Sequence, residues 1–171
     1  GATITDDLLT ATAAGETTIR ATVRNGNAYG ADYTKDFQVG FYVVEGISVN
    51  AGSITISKKD DNTITVTGGN VANGSKDYNK NEIIRIYGET TSNTITISEG
   101  TTANLILANV KIDVSGTEGA TPLYVSSNAQ LNLTLEGTNE LRGGRNAAAL
   151  GVPSGAELVI EESSTGTLEA T

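Results

Sequence analysis

Residues 95–133 decide the fold: ITISEGTTANLILANVKIDVSGTEGATPLYVSSNAQLNL. Short apolar pairs, each with one residue between its two members, recur along this stretch, beginning with Ile95/Ile97, Leu105/Leu107 and Ile112/Val114. Alternation of this kind is the period-two pattern of a strand with one buried face. We therefore predict a series of short strands whose aliphatic side chains point to one interior.

The same pattern extends outward from this stretch in both directions. The further pairs are Ile54/Ile56, Ile64/Val66, Ile84/Ile86, Leu123/Val125, Leu131/Leu133, Leu150/Val152 and Leu158/Ile160, with Leu141 and Leu168 as single members. The positions between them are mostly Thr, Asn, Ser and Glu, which we expect to face outward. Outward Thr55, Thr65 and Thr96 give way to Tyr124 and Asn132, so no regular threonine array of the ice-binding kind is expected.

The pairs also repeat at an almost constant spacing. Ile95 and Leu123 are 28 residues apart, and Leu123 and Leu150 are 27 apart. A second series joins Leu105, Leu131 and Leu158, and a third joins Ile84 to Ile112 and then Val114, Leu141 and Leu168. Three strand columns with one period predict a three-sided parallel β-helix (β-solenoid) of about four coils over residues 46–171. It is expected to be right-handed, as parallel crossovers are by default.

Two features of the connections add to this prediction. Residues 67–83, rich in Gly, Asn, Asp and Lys, are expected to form an inserted surface loop in the first coil. Gly88, Gly116 and Gly143 each stand second in an eight-residue connection between the third and first columns. A glycine in register at a corner predicts a backbone bend with positive φ.

Residues 1–45 follow a different pattern. Four strand-like segments, at 2–4, 8–13, 17–23 and 37–44, are separated by turn residues, and Asn25-Gly26 is a strong hairpin signal. This region is predicted to be an antiparallel β segment. The whole chain is therefore expected to be all-β.

Composition excludes much chemistry. The 171 residues include no Cys, His, Met or Trp, which excludes disulfides, Cys or His metal ligands, a Cys nucleophile and a Ser-His-Asp triad. The 11 basic and 20 acidic residues give a net charge of −9, which argues against nucleic-acid binding. No apolar run is long enough to span a membrane, so no membrane insertion is expected.

Carboxylates are the remaining reactive groups. Asp60-Asp61, in a predicted corner, is the best candidate for Ca²⁺, which needs six to eight oxygen ligands. Other carboxylates are scattered over the coils, and the simpler interpretation is a solvated acidic surface with no cofactor. Catalysis by two carboxylates, with Arg85 facing outward as a basic partner, is disfavoured because the stack is short and no suitable acidic pair stands out. We predict that the protein is not an enzyme.

Glycan binding would need an aromatic platform with polar neighbours. The candidates are Tyr78 on the inserted loop, Tyr87 at a corner and Tyr124 on an outward strand position. Arg142 and Arg145, with Gly143-Gly144 between them, form a small basic loop that could hold a carboxylate or sulfate. The competing interpretation is ordinary exposed or half-buried tyrosines, with the glycines serving the corner.

The run LTATAAG…TTIRATV…DYTKDFQV, in residues 9–39, resembles the C-terminal half of a bacterial Ig-like domain of cell-surface proteins. The following coils, such as NTITISEGTTANLILANVKIDVSG, resemble the β-helical "carbohydrate-binding" modules that follow Ig-like repeats in large bacterial surface proteins. The resemblance implies an extracellular, non-enzymatic, adhesive or scaffolding role, and it carries no set of binding residues. An Ig-like sandwich needs about seven strands, of which residues 1–45 supply about four.

Three functions therefore remain open. The first is a structural or adhesive module of the cell surface, and the second is a subunit of a self-assembling extracellular fibre. The fibre would be joined by strand complementation or by stacking of coils end to end. The third is a carbohydrate-binding module. The expected partners are other copies of the chain, neighbouring domains of a larger surface protein, or glycans.

Overall fold

The computed structural model describes residues 2–5, 8–11, 15–41 and 46–171. The described chain is all-β, as predicted, and its only helical turns are two short 3₁₀ segments. It divides into two compact units, Gly1–Val44 and Glu45–Thr171. Among the described residues, no helix is long and apolar enough to cross a membrane.

The first unit contains two antiparallel hairpins. β1 (Ala2–Thr5) pairs with β2 (Leu8–Ala11), and β3 (Gly15–Ala28) pairs with β4 (Ala31–Phe41) in a separate two-stranded sheet. The predicted strand ends at 12–13 and 42–44 lie outside the described residues. An Ig-like sandwich is therefore not established by these four strands.

The turn between β3 and β4 differs from the prediction. It lies at Tyr29-Gly30, four residues beyond Asn25-Gly26. Asn25 instead occupies an irregularity of β3, with a φ of 55°, where its side-chain oxygen accepts a hydrogen bond from the Gly30 N–H at 2.7 Å. The Asn-Gly pair provides the positive φ that its sequence indicates, but in a bulge rather than in the turn.

The β3–β4 pair, here called the ribbon, is amphipathic. Paired residues of an antiparallel sheet share a face, and the pairs Val23/Tyr33 and Ile19/Phe37 lie on one face. The opposite face carries the Arg20–Asp36 ion pair, whose Nε and Oδ1 atoms are 2.7 Å apart. Val23 and Phe37 are exposed, so the apolar face of the ribbon is open to solvent.

The second unit contains the remaining thirteen strands. They are β5 (Gly46–Ser48), β6 (Ile54–Lys58), β7 (Thr63–Gly68), β8 (Ser75–Asn79), β9 (Ile83–Thr90), β10 (Ile95–Ile97), β11 (Thr102–Asp113), β12 (Leu123–Val125), β13 (Gln130–Glu136), β14 (Thr138–Arg142), β15 (Leu150–Gly151), β16 (Glu157–Ile160) and β17 (Thr167–Ala170). They form two open sheets, of which the first mixes parallel and antiparallel pairing.

The first sheet contains the first strand column in the predicted register. β6, β10, β12 and β15 pair in parallel, which aligns Ile54, Ile95, Leu123 and Leu150. The spacing of 27 or 28 residues between the last three therefore corresponds to direct hydrogen-bonded neighbours. This part of the prediction is confirmed.

The second column is shifted by two residues from the prediction. Leu105 aligns with Leu133 rather than Leu131, whereas Leu131 aligns with Ala103 and Leu158. Ile84 belongs to this column as well, because β9 aligns it with Leu105 and not with Ile112. A shift of two keeps every side chain on its predicted face.

The third column begins within β11, which bends at Asn109 and continues into it. β11 then pairs with β14, and β14 with β17, so Ile112 aligns with Leu141 and Asn139 with Leu168. The predicted matches of Val114 with Leu141, and of Leu141 with Leu168, are again wrong by two residues. One long strand thus supplies two of the three columns.

The region before β9 does not form a regular coil. β7 pairs antiparallel with β6, and β8 pairs antiparallel with β7, so this segment is a meander at the edge of the first sheet. Ile64 and Val66 are buried as predicted but belong to the meander. Residues 67–83 are accordingly not a simple inserted loop, because they include the end of β7 and all of β8.

Aliphatic side chains fill the interior of the second unit. The predicted inward residues from Ile54 to Leu141 are all buried, most of them completely. The exception is the last repeat of the pattern, residues 150–171, called the terminal repeat. Its Val152 and Ile160 are exposed, although the alternation places them on the inward side.

The corners are formed by residues other than the three predicted glycines. Gly88 has a φ of 103°, but Gly116 and Gly143 do not adopt positive φ. One recurring corner instead places positive φ at Gly100, Asn128 and Gly155. Each is the third residue of a turn closed by a backbone hydrogen bond: Thr101 N to Ser98 O, Ala129 N to Ser126 O and Ala156 N to Pro153 O. This is the pattern of a type II turn, which requires Gly or Asn at that position.

Candidate functional site

Two of the predicted glycan-binding tyrosines lie over glycines. Tyr124 is outward-facing, and a Cβ added to Gly151 would lie 2.5 Å from its ring. Tyr87 lies in the same way over Gly46, at 2.7 Å. An aromatic ring that covers a glycine on the neighbouring strand stabilises a sheet. Both rings therefore have a structural role on one side and remain partly exposed on the other.

Tyr78 lies in a different environment. It is on β8 rather than on a loop, and it packs partly buried against the core. The Lys76 ammonium lies 4.9 Å from the centroid of its ring, a cation–π contact. With these two residues, the open pocket beside Tyr78 is lined by Gly46, Ile47, Asn70, Val71 and Ala72.

The two arginines of the predicted basic loop differ. Arg142 ends β14, and its Nη1 lies 3.5 Å from Asp113 Oδ2, while its Nη2 lies 3.6 Å from Glu140 Oε1. Arg145 is exposed, and its backbone oxygen accepts a hydrogen bond from Gly119. Gly144 is required by close packing, because a Cβ there would lie 1.9 Å from the Thr117 oxygen. The loop glycines thus serve packing, as the simpler interpretation held.

Asp60 and Asp61 are both exposed in the β6–β7 turn and bind neighbours of the same turn. The Asn62 backbone N–H donates to Asp60, and this hydrogen bond, with that from Thr63, lowers the Asp60 pKa. Lys58 lies 2.8 Å from Asp61, and its hydrogen bond lowers the pKa of that carboxyl. Within the described ranges, no cluster of three or more acidic side chains could hold a metal ion.

Arg85 faces outward, as expected. It forms an ion pair with Glu136, which lies two strands away in the second sheet, and both side chains are about a third exposed. The pair therefore crosses the outer face of β11. It holds three successive strands together rather than presenting a basic group beside a bound ion.

A second concavity lies on the outer face of the second sheet. We call it the amide groove, and its lining includes Asn81, Ile83, Asn104, Asn132, Thr134, Glu161 and Ser163. Outward positions of β9, β11 and β13 form its floor, because Ile83, Asn104 and Asn132 align across the sheet. The residues after β16 supply Glu161 and Ser163 as one wall.

Asparagine side chains in the amide groove form a directed chain of hydrogen bonds. Asn132 Nδ2 donates to Asn104 Oδ1 at 2.8 Å, and Asn104 Nδ2 donates to the Lys80 backbone oxygen at 3.1 Å. Successive hydrogen bonds polarise one another. The free end of the chain is the Asn132 side-chain oxygen, which is therefore a strong acceptor facing the groove. Such an acceptor suits a ligand hydroxyl.

The amide groove was not anticipated from the sequence, although a signal was present. Asn104 and Asn132 are 28 residues apart, which is the period of the strands, and both are outward positions beside predicted inward leucines. Of the five predicted glycan-binding residues, only Tyr78 lines either concavity. The structure therefore distributes those five over separate elements.

Comparison with family models, with curated proteins and with solved structures finds no match to this chain. The functional argument consequently depends on the residues and their geometry.

Proposed function

We propose that the chain is a non-enzymatic structural and adhesive module of the bacterial cell surface or extracellular space. In this proposal, residues 46–171 form a short right-handed parallel β-helix that presents a rigid polar surface. The ribbon and the hairpin before it correspond to part of an Ig-like domain that precedes the helix.

The observation that carries this proposal is the register of the parallel strands. Neighbouring repeats align residue for residue over seven positions between β11 and β13, and the aliphatic side chains between them are buried. In such a stack each outward side chain has a fixed place about 4.8 Å from its equivalent in the next repeat. A fixed polar lattice is suited to contacts with an extended, repetitive ligand.

The amide groove is the part of this lattice that we assign to adhesion. It combines an aligned pair of amides with the Thr134 and Ser163 hydroxyls and the Glu161 carboxylate. These groups donate and accept hydrogen bonds in the way that polyol ligands require. A neutral, hydroxyl-rich glycan is therefore the proposed ligand.

A glycan array tests this assignment. We expect wild-type protein to bind a subset of glycans, and Asn132→Ala with Ser163→Ala to lose at least tenfold in affinity. Thr96→Ala, on the outer face of the other sheet, is the matched control. No binding by the wild type, or equal binding by all variants, would contradict the role of the groove. Loss only with Tyr87→Ala or Tyr124→Ala would transfer binding to those tyrosines.

The ribbon favours a second candidate, a fibre subunit. Its exposed apolar face, with Val23, Tyr33 and Phe37, is what a sandwich normally buries, and a neighbouring copy could supply the covering strands. Electron microscopy should then show filaments that Phe37→Lys abolishes and that Thr22→Lys, on the opposite face, leaves intact. Single monodisperse particles at high concentration would exclude this candidate.

A further inference from the structure

The terminal repeat is built like the repeats before it but is not covered. Leu133 of the preceding repeat is fully buried, whereas Ile160, which aligns with it, is 47% exposed. Leu131 and Asn139 are likewise fully buried, and their aligned neighbours Leu158 and Leu168 are only partly so. The difference comes from the missing next layer, since the residue types and the register are the same.

The strand edges of the terminal repeat are open as well. Within residues 46–171, β15, β16 and β17 each pair with the preceding repeat only, so their outer N–H and C=O groups have no strand partner. Unpaired edges of this kind are templates for strand addition. The opposite end is closed, because β5 pairs with β9, the meander extends the first sheet, and Ile47 and Val49 are buried.

The terminal repeat is also uniformly acidic. Residues 146–171 include Glu157, Glu161, Glu162 and Glu169 and no Lys or Arg. Glu157 aligns with Gln130, and Glu169 aligns with Glu140, which is paired with Lys111 at 3.2 Å. Arg142 also approaches Glu140, and the exposed Arg145 precedes β15. Charged side chains that oppose pairing are a recognised protection of sheet edges.

We propose that the terminal repeats of two copies stack on each other, and that these glutamates keep the copies apart until their charge is screened or removed. A second copy is the occupant that the geometry favours, because its terminal repeat has the same cross-section and an equally open set of edges. A two-fold axis would bring β16 of one copy antiparallel to β16 of the other. The contact is closed, so it produces a dimer and not a filament.

Sedimentation velocity over a range of concentrations tests the proposal. In dilute salt we expect the wild type to be a single chain. In 1 M salt, where the screening length falls to about 3 Å, we expect two chains per particle. The variant E157Q/E161Q/E162Q/E169Q should dimerise in dilute salt, whereas E82Q/E89Q/E99Q/E118Q, which removes the same charge from exposed sites elsewhere, should behave like the wild type.

Two further variants locate the contact. Ile160→Lys, added to the neutralised terminal repeat, should restore the single chain, and Phe37→Lys on the ribbon should leave the dimer intact. Circular dichroism confirms that each variant is folded. A single chain for the neutralised variant at every concentration, filaments in place of dimers, or a dimer lost with Phe37→Lys would each overturn the proposal. Glycan binding is a property of one chain, so the failure of either proposal leaves the other standing.

Discussion

At the scale of single residues, asparagine shares the corner role of glycine. Asn109 and Gly137 are 28 residues apart and both have positive φ, at 53° and 66°. The Asn109 side-chain oxygen lies where a Cβ of Gly137 would be, 2.1 Å from that position, and it accepts a hydrogen bond from Thr138 N–H. An asparagine in one repeat thus restricts the next repeat to glycine.

This arrangement makes Gly137 sensitive to substitution. Gly137→Ala should destabilise the second unit by about 2 kcal/mol or more, because it adds left-handed strain and a contact with Asn109. Chemical unfolding measures the difference. Gly116→Ala is the matched control, since its φ is not positive and a Cβ there meets no atom within 4 Å. Equal losses for the two variants would contradict the corner geometry.

Asn139 is the one asparagine in the described core that is completely buried. Its side-chain oxygen accepts from the Val110 N–H at 2.9 Å, and its amide donates to the Glu136 and Thr167 backbone oxygens. Asn139→Ala should therefore cost about 2–3 kcal/mol of unfolding free energy, because a buried N–H is left without a partner. Asn62→Ala, at an exposed turn position, should change little. A silent Asn139→Ala would show that water replaces the amide.

The direction of the β13 side chains is tested by two aspartate substitutions. Leu131→Asp places an unpaired charge between the aligned Ala103 and Leu158 and should destabilise the protein by about 4 kcal/mol or more. Thr134→Asp, on the outer face, should stay within about 0.5 kcal/mol. Thermal unfolding of the two variants should therefore differ widely. Similar melting temperatures would mean that the inward face is wrongly assigned.

At the scale of elements, the sequence predicts faces better than neighbours. Alternation identifies the buried side of each strand, and the burial of Leu105, Leu131 and Leu133 follows it. Registers that differ by two residues bury the same side chains, so spacing alone does not separate Leu105/Leu131 from Leu105/Leu133. Aligning the corner residues Gly100 and Asn128 would have settled this register.

The meander shows a second limit of sequence interpretation. Period-two alternation is the same in a parallel and an antiparallel strand, so Ile64 and Val66 fit either a coil or a hairpin. The distinguishing signal is the short connection KKDDN at 58–62, which is compact enough for a hairpin. The groove was missed for a related reason, because attention went to aromatic and charged side chains and not to the repeated amides.

The meander also gives the chain a defined acid sensitivity. Asp77 on β8 binds Lys59, and it accepts a hydrogen bond from Thr65 Oγ1 at 2.7 Å. The Lys59 hydrogen bond, followed by that from Thr65, lowers the pKa of Asp77 below its ordinary value. A carboxyl with a lowered pKa in the folded state stabilises the protein above its unfolded pKa, and this stabilisation is lost as the pH falls through the folded value.

Asp77→Asn should therefore be less stable than the wild type at pH 7 and lose this difference in acid. Urea unfolding at pH 7 and at about pH 3 measures the two cases, since the unfolded aspartate titrates near 3.9. Glu99→Gln, on an exposed turn, serves as the control for loss of charge. A difference that persists unchanged in acid would show that the Asp77 contacts do not depend on ionisation.

At the scale of the whole molecule, the two units differ in how they are stabilised. Every side chain that the structure describes as buried belongs to residues 47–149 of the second unit. The ribbon, by contrast, exposes most of its described side chains. The first unit contributes an amphipathic sheet surface, and the second contributes the hydrophobic core.

A chain of residues 46–171 should accordingly fold without the first unit. Calorimetry should show one cooperative transition within a few degrees of the main transition of the full chain, because its core is complete. The full chain should resemble the sum of this transition and a weak one from the ribbon. A shortened chain that is unfolded at 25 °C would mean that the first unit is essential for the second.

The shared register of the repeats also has a genetic consequence. Because residues 115–142 enter and leave in the same alignment as the residues before them, an in-frame duplication of these 28 codons would add one layer of about 4.8 Å. Both ends of the protein would stay as they are. Lengths between whole layers are forbidden by the alternation of faces, so recombination within the gene can change the reach of this protein only in equal steps.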